Sequence, residues 1–315
     1  MVGAKHVGKI RRQLRSAFSV LRGLRLLLYP FQLWRFHALG LLSRAISDVD
    51  VLSFVSRKHY LSRFFDLQQR SNNVLAHYQY EQSHFNDKYQ ETVHGGNGLA
   101  LWEERIDDTH ISMRLFSSRG YRVEGELSIC LNVNEHFTGC ISYSYIDGAS
   151  LGTLPGTILF VSRIQVIRGH GLELFRQCYP QHSPQYFCLA AVMGVAKAND
   201  ATAIAVIAGK AQVNYAPQFE SGFLNSYCNF WHQFGARSLN QQAYILDVPL
   251  QLPPMASVAT KHRGRASKRR RLWSTITTQS EAAIRAHRFG ELAYLAAGRS
   301  AVLFSILIQT FDSLA

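Results

Sequence analysis

The stretch with the most chemical potential runs Arg163-Ile164-Gln165-Val166-Ile167-Arg168-Gly169-His170-Gly171. It follows Thr157-Ile158-Leu159-Phe160-Val161, which is apolar on both faces and reads as a covered central strand. A glycine-bearing turn after such a strand exposes backbone N–H groups that can hold phosphate. Arg163, Gln165, Arg168, Gly169 and Gly171 are therefore candidate ligand-binding residues. The competing reading is a turn whose glycines only serve the backbone. Tyr227 and Trp231 lie four apart, hence on one face if the segment is helical, and form a candidate aromatic pair. Core packing is the first role for such a pair and a ligand platform the second.

Other chemistries find less support. Glu124 and Glu126 are expected on one strand face, and paired carboxylates can do acid–base work or hold a metal. No histidine or further acid stands at a matching spacing, so an exposed strand face is the expectation. The thirteen histidines are scattered without a HExxH pattern, and the five cysteines (130, 140, 178, 188, 228) form no CxxC pair. No metal site is expected, nor a Ser or Cys nucleophile. Unpaired cysteines in apolar settings fit core packing and a reducing compartment.

Charge is distributed unevenly. The chain of 315 residues is 47% hydrophobic, which excludes a disordered polymer, and carries a formal charge of +13. Residues 1–47 hold nine Lys/Arg and no acid, and residues 261–271 hold seven more. The remaining chain has 18 basic residues against 21 acids, so the basicity sits in two segments on a slightly acidic body. In the first segment Arg11, Arg15, Arg22 and Arg25 fall on one helical face beside an apolar face of Leu14, Phe18, Leu21 and Leu28. That pattern suits a helix lying in an anionic headgroup layer, or a solvated face on a packed helix. In the second, Lys268, Arg269, Arg270 and Arg271 could meet anionic lipid or nucleic acid, or form a solvated tail. Aromatic interleaving is absent there, so nucleic acid is the weaker expectation. No secretory signal pattern is evident. The apolar segment 292–311 carries Arg299, and its uncharged remainder falls short of the roughly 20 residues a spanning helix needs. It is expected to be a packed or interfacial helix, with a short anchor as the alternative.

These residues must be positioned by an α+β fold. Residues 10–47 read as helix broken at Pro30, and 48–93 as helix again. Past the glycine-rich loop at 94–98 the apolar period changes to two, through Ile111, Met113 and Leu115, then Leu127, Ile129, Leu131 and Val133. Asn134-Glu135-His136 suits a turn, and Ile141, Tyr143 and Tyr145 continue the alternation. Ser183-Pro184 marks a helix start, with Ser as cap, for a helix over 184–198 that leads to a buried strand at 203–207. Strand, helix, strand makes a crossover. A further strand is expected over 244–250, then a break at Pro253-Pro254. The division expected is a basic helical region at 1–93, a mixed α/β core at 94–255, and a basic run with a terminal helix at 256–315.

The order of several weak motifs resembles the VirK/YbjX family of Gram-negative bacteria. They are Tyr60-Leu61, Arg70 to His77-Tyr78, Glu124-Gly125-Glu126-Leu127, Ile164-Gln165, Ser183-Pro184, Tyr227 with Phe230-Trp231, and Arg263 with Lys268 to Leu272. One departure is Val166, where the family usually has glycine. The resemblance implies a cytoplasmic or inner-face accessory factor supporting the envelope, virulence or antimicrobial-peptide tolerance, and it brings no catalytic residues. The antiparallel-then-crossover order also looks similar to acyl-CoA-dependent transferases of the GNAT type. Two points differ: Gln165 stands one residue too far from Gly169 for their loop, and the helix is expected only from Pro184 instead of directly at the loop. The leading expectation is an accessory factor at the anionic inner membrane surface. An acyltransferase using acyl-CoA is the alternative, and a nucleic-acid-binding protein the second. Whether the chain is an enzyme is left open by its sequence.

Overall fold

The computed structural model describes residues 29–41, 49–152 and 156–289. Arg11, Arg15, Arg22 and Arg25 and the apolar segment 292–311 lie outside the described residues. The fold is a mixed α/β one: helices around an eight-stranded, mostly antiparallel sheet in the order β1-β2-β3-β4-β5-β6-β8-β7.

Helices α1 (Pro30–Ala38), α2 (Leu67–His84) and α3 (Asp87–His94) come first. Asp66 starts α2 through a capping box: its carboxylate accepts from the Gln69 N–H, and the Gln69 side chain accepts from the Asp66 N–H. Asn86 caps α3 in the same way, accepting from the Tyr89 N–H at 3.0 Å. Strands β1 (Leu99–Ile106), β2 (Thr109–Ser117), β3 (Leu127–Val133) and β4 (His136–Asp147) then form an antiparallel meander. The expected alternation is real: Ile111, Met113 and Leu115, like Leu127, Ile129, Leu131 and Val133, are fully buried. The β3–β4 turn is a two-residue hairpin in which Asn134 and Glu135 both take positive φ, 45° and 65°, as the twist of the strands demands. Strand β4 is buried at successive residues from Thr138 to Ile146 because α2 and the later helix Pro184–Ala198 both pack on it.

Strand β5 (Thr157–Val166) is antiparallel to β4 and is followed by α4 (His170–Cys178), α5 (Pro184–Ala198) and β6 (Ala203–Ile207). Strands β5 and β6 are the parallel pair, and they pair at only two positions, Phe160 with Ala205 and Val161 with Val206. Helix α5 and strand β6 have the bounds read from the sequence. Ser183, though, makes no side-chain cap bond, so Pro184 at the first turn is what starts α5. Helix α4 is a correction: a helix does open right after the strand, at His170, where only a turn was expected. A helical segment then runs from Glu220–Phe223 through a π-wound stretch, Leu224–Asn229, to Phe230–His232. Strands β7 (Arg237–Ser238) and β8 (Ala243–Asp247) close the sheet, β8 ending three residues short of the expected strand.

The second basic run is no tail. It forms the first half of α6 (Thr260–Arg285), which packs along α5 and reaches β1. Gly194 of α5 permits the approach, since a Cβ there would stand 2.6 Å from the Ser280 Cβ. Val166 also finds its explanation. It is an ordinary strand residue paired with Gly139, and Gly139 is the position where a Cβ would crowd the Gln165 carbonyl, at 3.0 Å, and Pro184.

Candidate functional site

Past Val161 strand β5 has no strand partner on the β6 side among the described residues, and polar side chains gather there. Arg163 points its guanidinium at Glu124, Nη1 to Oε2 3.3 Å, and donates to the side chain of Gln165. The other Glu124 oxygen accepts from Gln212 Nε2 and Asn214 Nδ2, each at 2.8 Å. Both amides stand just after the 3-10 turn Gly209–Ala211 that follows β6, so the two parallel strands deliver opposite sides of one cluster. Ser162 Oγ donates to the Glu124 carbonyl at 2.6 Å and fixes the backbone. The exposed ring of Tyr121 covers the guanidinium, with its centroid 5.3 Å from Cζ. Tyr227, on the π-wound turn, brings its hydroxyl to the Ile164 backbone, and burial, then Glu124, pushes that hydroxyl up so that it stays protonated. A π-turn inside a helix often marks a functional position.

Three of the sequence candidates thus meet: Arg163, Gln165 and Tyr227. The others do not join them. Arg168 and Gly169 are exposed beside the first turn of α4. Gly169 has φ 142°, a conformation reserved for glycine, whereas Gly171 is needed for space: a Cβ there would overlap Thr138 Oγ1 and stand 2.8 Å from the His136 Cβ. The two glycines therefore have different tasks, and the Gly-x-Gly is not one phosphate loop. Trp231 is fully buried, and its Nε1–H donates to the Ile207 carbonyl at 3.0 Å. It braces the end of β6 and is no ligand platform.

Glu124 and Glu126 correct another expectation. They share no exposed strand face. Both are buried, Glu124 in the 3-10 turn Arg122–Glu124 and Glu126 just before β3. They face different partners. Glu126 accepts from Tyr60 Oη at 2.5 Å, Tyr78 Oη at 2.9 Å and Arg122 Nη1 at 3.1 Å. Nearby, Glu81 lies between His94 Nε2, at 3.0 Å, and His77 Nε2, at 3.5 Å. Burial alone would raise the Glu81 carboxyl, but His94 and His77 outweigh it and hold it at about 2. This second network lies within the core, with only His94 partly exposed.

The cysteines are all free. Cys130 and Cys140 are register partners on β3 and β4, and burial raises both thiols, that of Cys130 to about 12. Protonated thiols are poor nucleophiles, so they serve packing.

The cationic candidates Lys268, Arg269, Arg270 and Arg271 lie on α6, and no basic residue of 261–271 forms an ion pair with a described carboxylate. No helix among the described residues is long and apolar enough to cross a membrane.

Sequence reasoning missed Gln212, Asn214 and Tyr121. The two amides are 88 and 90 positions from the carboxylate they hold, and the only local signal was a Gln-x-Asn immediately past a buried strand. No functionally curated protein matches the chain. The family described as protein of unknown function (DUF535) matches residues 35–282, from α1 almost to the end of α6, and the chain belongs to that family.

Proposed function

We propose that the protein is a VirK-like factor of the bacterial envelope whose α/β body is a GNAT-like, acyl-CoA-dependent acyltransferase. The opening between β5 and β6 carries this reading. In open sheets ligands bind outside the carboxyl ends of the strands where the order switches. Here a single parallel pair interrupts an antiparallel sheet, and β5 runs on to Val166 after its pairing with β6 has stopped at Val161. An amide-bearing pantetheine arm matches such an unpaired strand edge. Helix α4, opening at His170 directly after the strand, supports the reading because the GNAT arrangement requires a helix there.

The chemistry would be attack of an acceptor amine on the thioester carbonyl. A C–N bond forms, the C–S bond breaks, the amine loses a proton and the departing thiolate gains one. Arg163, held by Glu124 and partly open to solvent, would position the polar end of the acceptor. Tyr227, kept protonated by burial and by Glu124, would supply the proton to the sulfur. The test is a melting scan with acyl-CoAs of increasing chain length, paired with release of free thiol in the presence of amines. Stabilisation by acyl-CoA, with amine-dependent thiol release that is lost in Arg163→Ala, supports the reading. No stabilisation and no thiol release with any chain length sinks it.

A second reading is favoured by a separate observation, the unpaired cations of α6. An accessory factor on the anionic cytoplasmic face of the membrane would use them, each basic residue contributing about 1 kcal/mol near such a surface. The protein should then sediment with phosphatidylglycerol vesicles and be released by high salt. A nucleic acid that binds more tightly than those vesicles would replace this reading with the nucleic-acid one.

A further inference from the structure

The cations of α6 line a groove. Tyr186 of α5 and the neighbouring Gln181 and Phe234 form one wall, and His262, Arg265, Arg269 and Arg270 the other, around a cavity of ≈ 470 Å³. An adjoining cavity of ≈ 210 Å³ shares Tyr186, Arg270 and Trp273 and continues between apolar side chains, among them Leu189, Met193 and Leu250. The groove is thus cationic at one end and oily at the other.

The guanidinium groups are held in place without being neutralised. Arg265 donates to the Gln181 side chain at 3.4 Å, Arg269 lies 5.4 Å over the Trp273 ring, and Arg270 donates to the Pro253 carbonyl. Arg265 also contacts His262 Nδ1 at 3.0 Å; none of these partners is a carboxylate, and residues 248–280 contain no Asp or Glu. Arginines without a carboxylate partner suit a phosphate group, because their fork matches its oxygens. His182, close to Arg269, is pushed down by burial first and then by that arginine. The indole N–H of Trp273, at the junction of the two cavities, is buried without an acceptor.

We propose that this groove holds one phospholipid molecule, its phosphate on Arg265, Arg269 and Arg270 and an acyl chain in the apolar half. A nucleic-acid backbone would satisfy the cations and leave the apolar half empty; a membrane surface met only by charge would use neither wall of α5. The inference rests on the surface-binding reading of α6 and adds a ligand and a place to it.

The probe is dodecyl phosphate, titrated calorimetrically into the full chain. It should saturate and bind about tenfold or more tightly than inorganic phosphate or dodecanol. Arg265→Glu with Arg269→Glu, both on exposed side chains, should weaken it by about tenfold or more, and so should Met193→Trp, which fills the apolar half. Melting curves check that each variant is folded, and the two variants block different ends, so a folding defect in one leaves the other decisive. Equal binding of dodecanol, or parent-like binding by both variants, overturns the proposal. Dodecanoyl-CoA displacing dodecyl phosphate where short-chain phosphatidic acid does not would give the groove to the coenzyme and also overturn it. If Met193→Trp binds dodecyl phosphate as the parent does while the parent still sediments with phosphatidylglycerol vesicles and is released by high salt, the groove fails and the surface reading survives. If in that case the parent does not sediment, both fall.

Discussion

Glu124 and Glu126 are two residues apart, both are buried, and both are paired with an arginine, yet they belong to different kinds of site. Every partner of Glu126 is itself inside: Tyr60, Tyr78 and Arg122 surround its carboxylate, and its backbone N–H donates to Ser144. The partners of Glu124 lead outward, through Arg163 to the exposed ring of Tyr121 and through Asn214 to the loop beyond β6. Burial and charge are alike in the two cases. What separates a structural carboxylate from a candidate functional one here is whether its hydrogen-bonding partners reach solvent.

That contrast can be broken by mutation. Glu126→Ala removes the carboxylate that faces Arg122, Tyr60 and Tyr78 in the core and should lose about 3–5 kcal/mol of stability in urea unfolding. A loss below about 1 kcal/mol would mean that the knot is dispensable and the comparison misdrawn. Glu124→Gln keeps the shape but removes the charge facing Arg163, and should lose about 1–3 kcal/mol while abolishing amine-dependent thiol release from acyl-CoA. If that release survives, the open cluster is structural too.

Acidity should act first on the sealed side. Burial holds the folded His77 below its ordinary value, with Glu81 and Glu126 only partly opposing the shift. The unfolded chain therefore takes up a proton that the folded chain refuses. Stability should be fully present above about pH 6.5 and decline as pH falls below it, then decline again between the ordinary carboxylate range and about 2 as Glu81 is protonated. His77→Gln should flatten the first slope in pH-dependent melts; an unchanged slope would exclude this origin. Smallest of all in stability, Tyr121→Ala should shift unfolding by no more than about 0.5 kcal/mol, its ring being exposed. Any larger effect of this variant should be in ligand affinity.

Much of the fold was legible. Strands β2, β3 and β4 announced themselves by alternation, and α5 and β6 by Pro184 and by an apolar run between turn signals. Helix α4 was hidden because Gly169-His170-Gly171 has the composition of a turn; only the packing of Gly171 against Thr138 shows why a glycine belongs inside a helix there. The helical state of Lys261–Arg271 was hidden for the opposite reason. Arg and Lys favour helices, but this half of α6 buries almost nothing besides Ala266, so no apolar period marks it. The meeting of Arg163, Gln165 and Tyr227 could be suspected from a strand end and an aromatic pair. Their joining through Glu124 could not, because that depends on which strand lies beside β5 and where its exit turn carries Gln212 and Asn214.

Helix α6 has a consequence for how this chain is made. It covers α5, touches β1, and is followed by Arg288, which pairs with Phe85, while the His287 carbonyl accepts from the Asn86 N–H at 2.9 Å. A strand that leaves the ribosome early thus waits for a helix that leaves it some 160 residues later, counting from Leu99 to Thr260. Until then the almost wholly apolar α5 has an uncovered flank. A nascent chain that stalls before Thr260 would be a client for chaperones or proteases and not a smaller working protein.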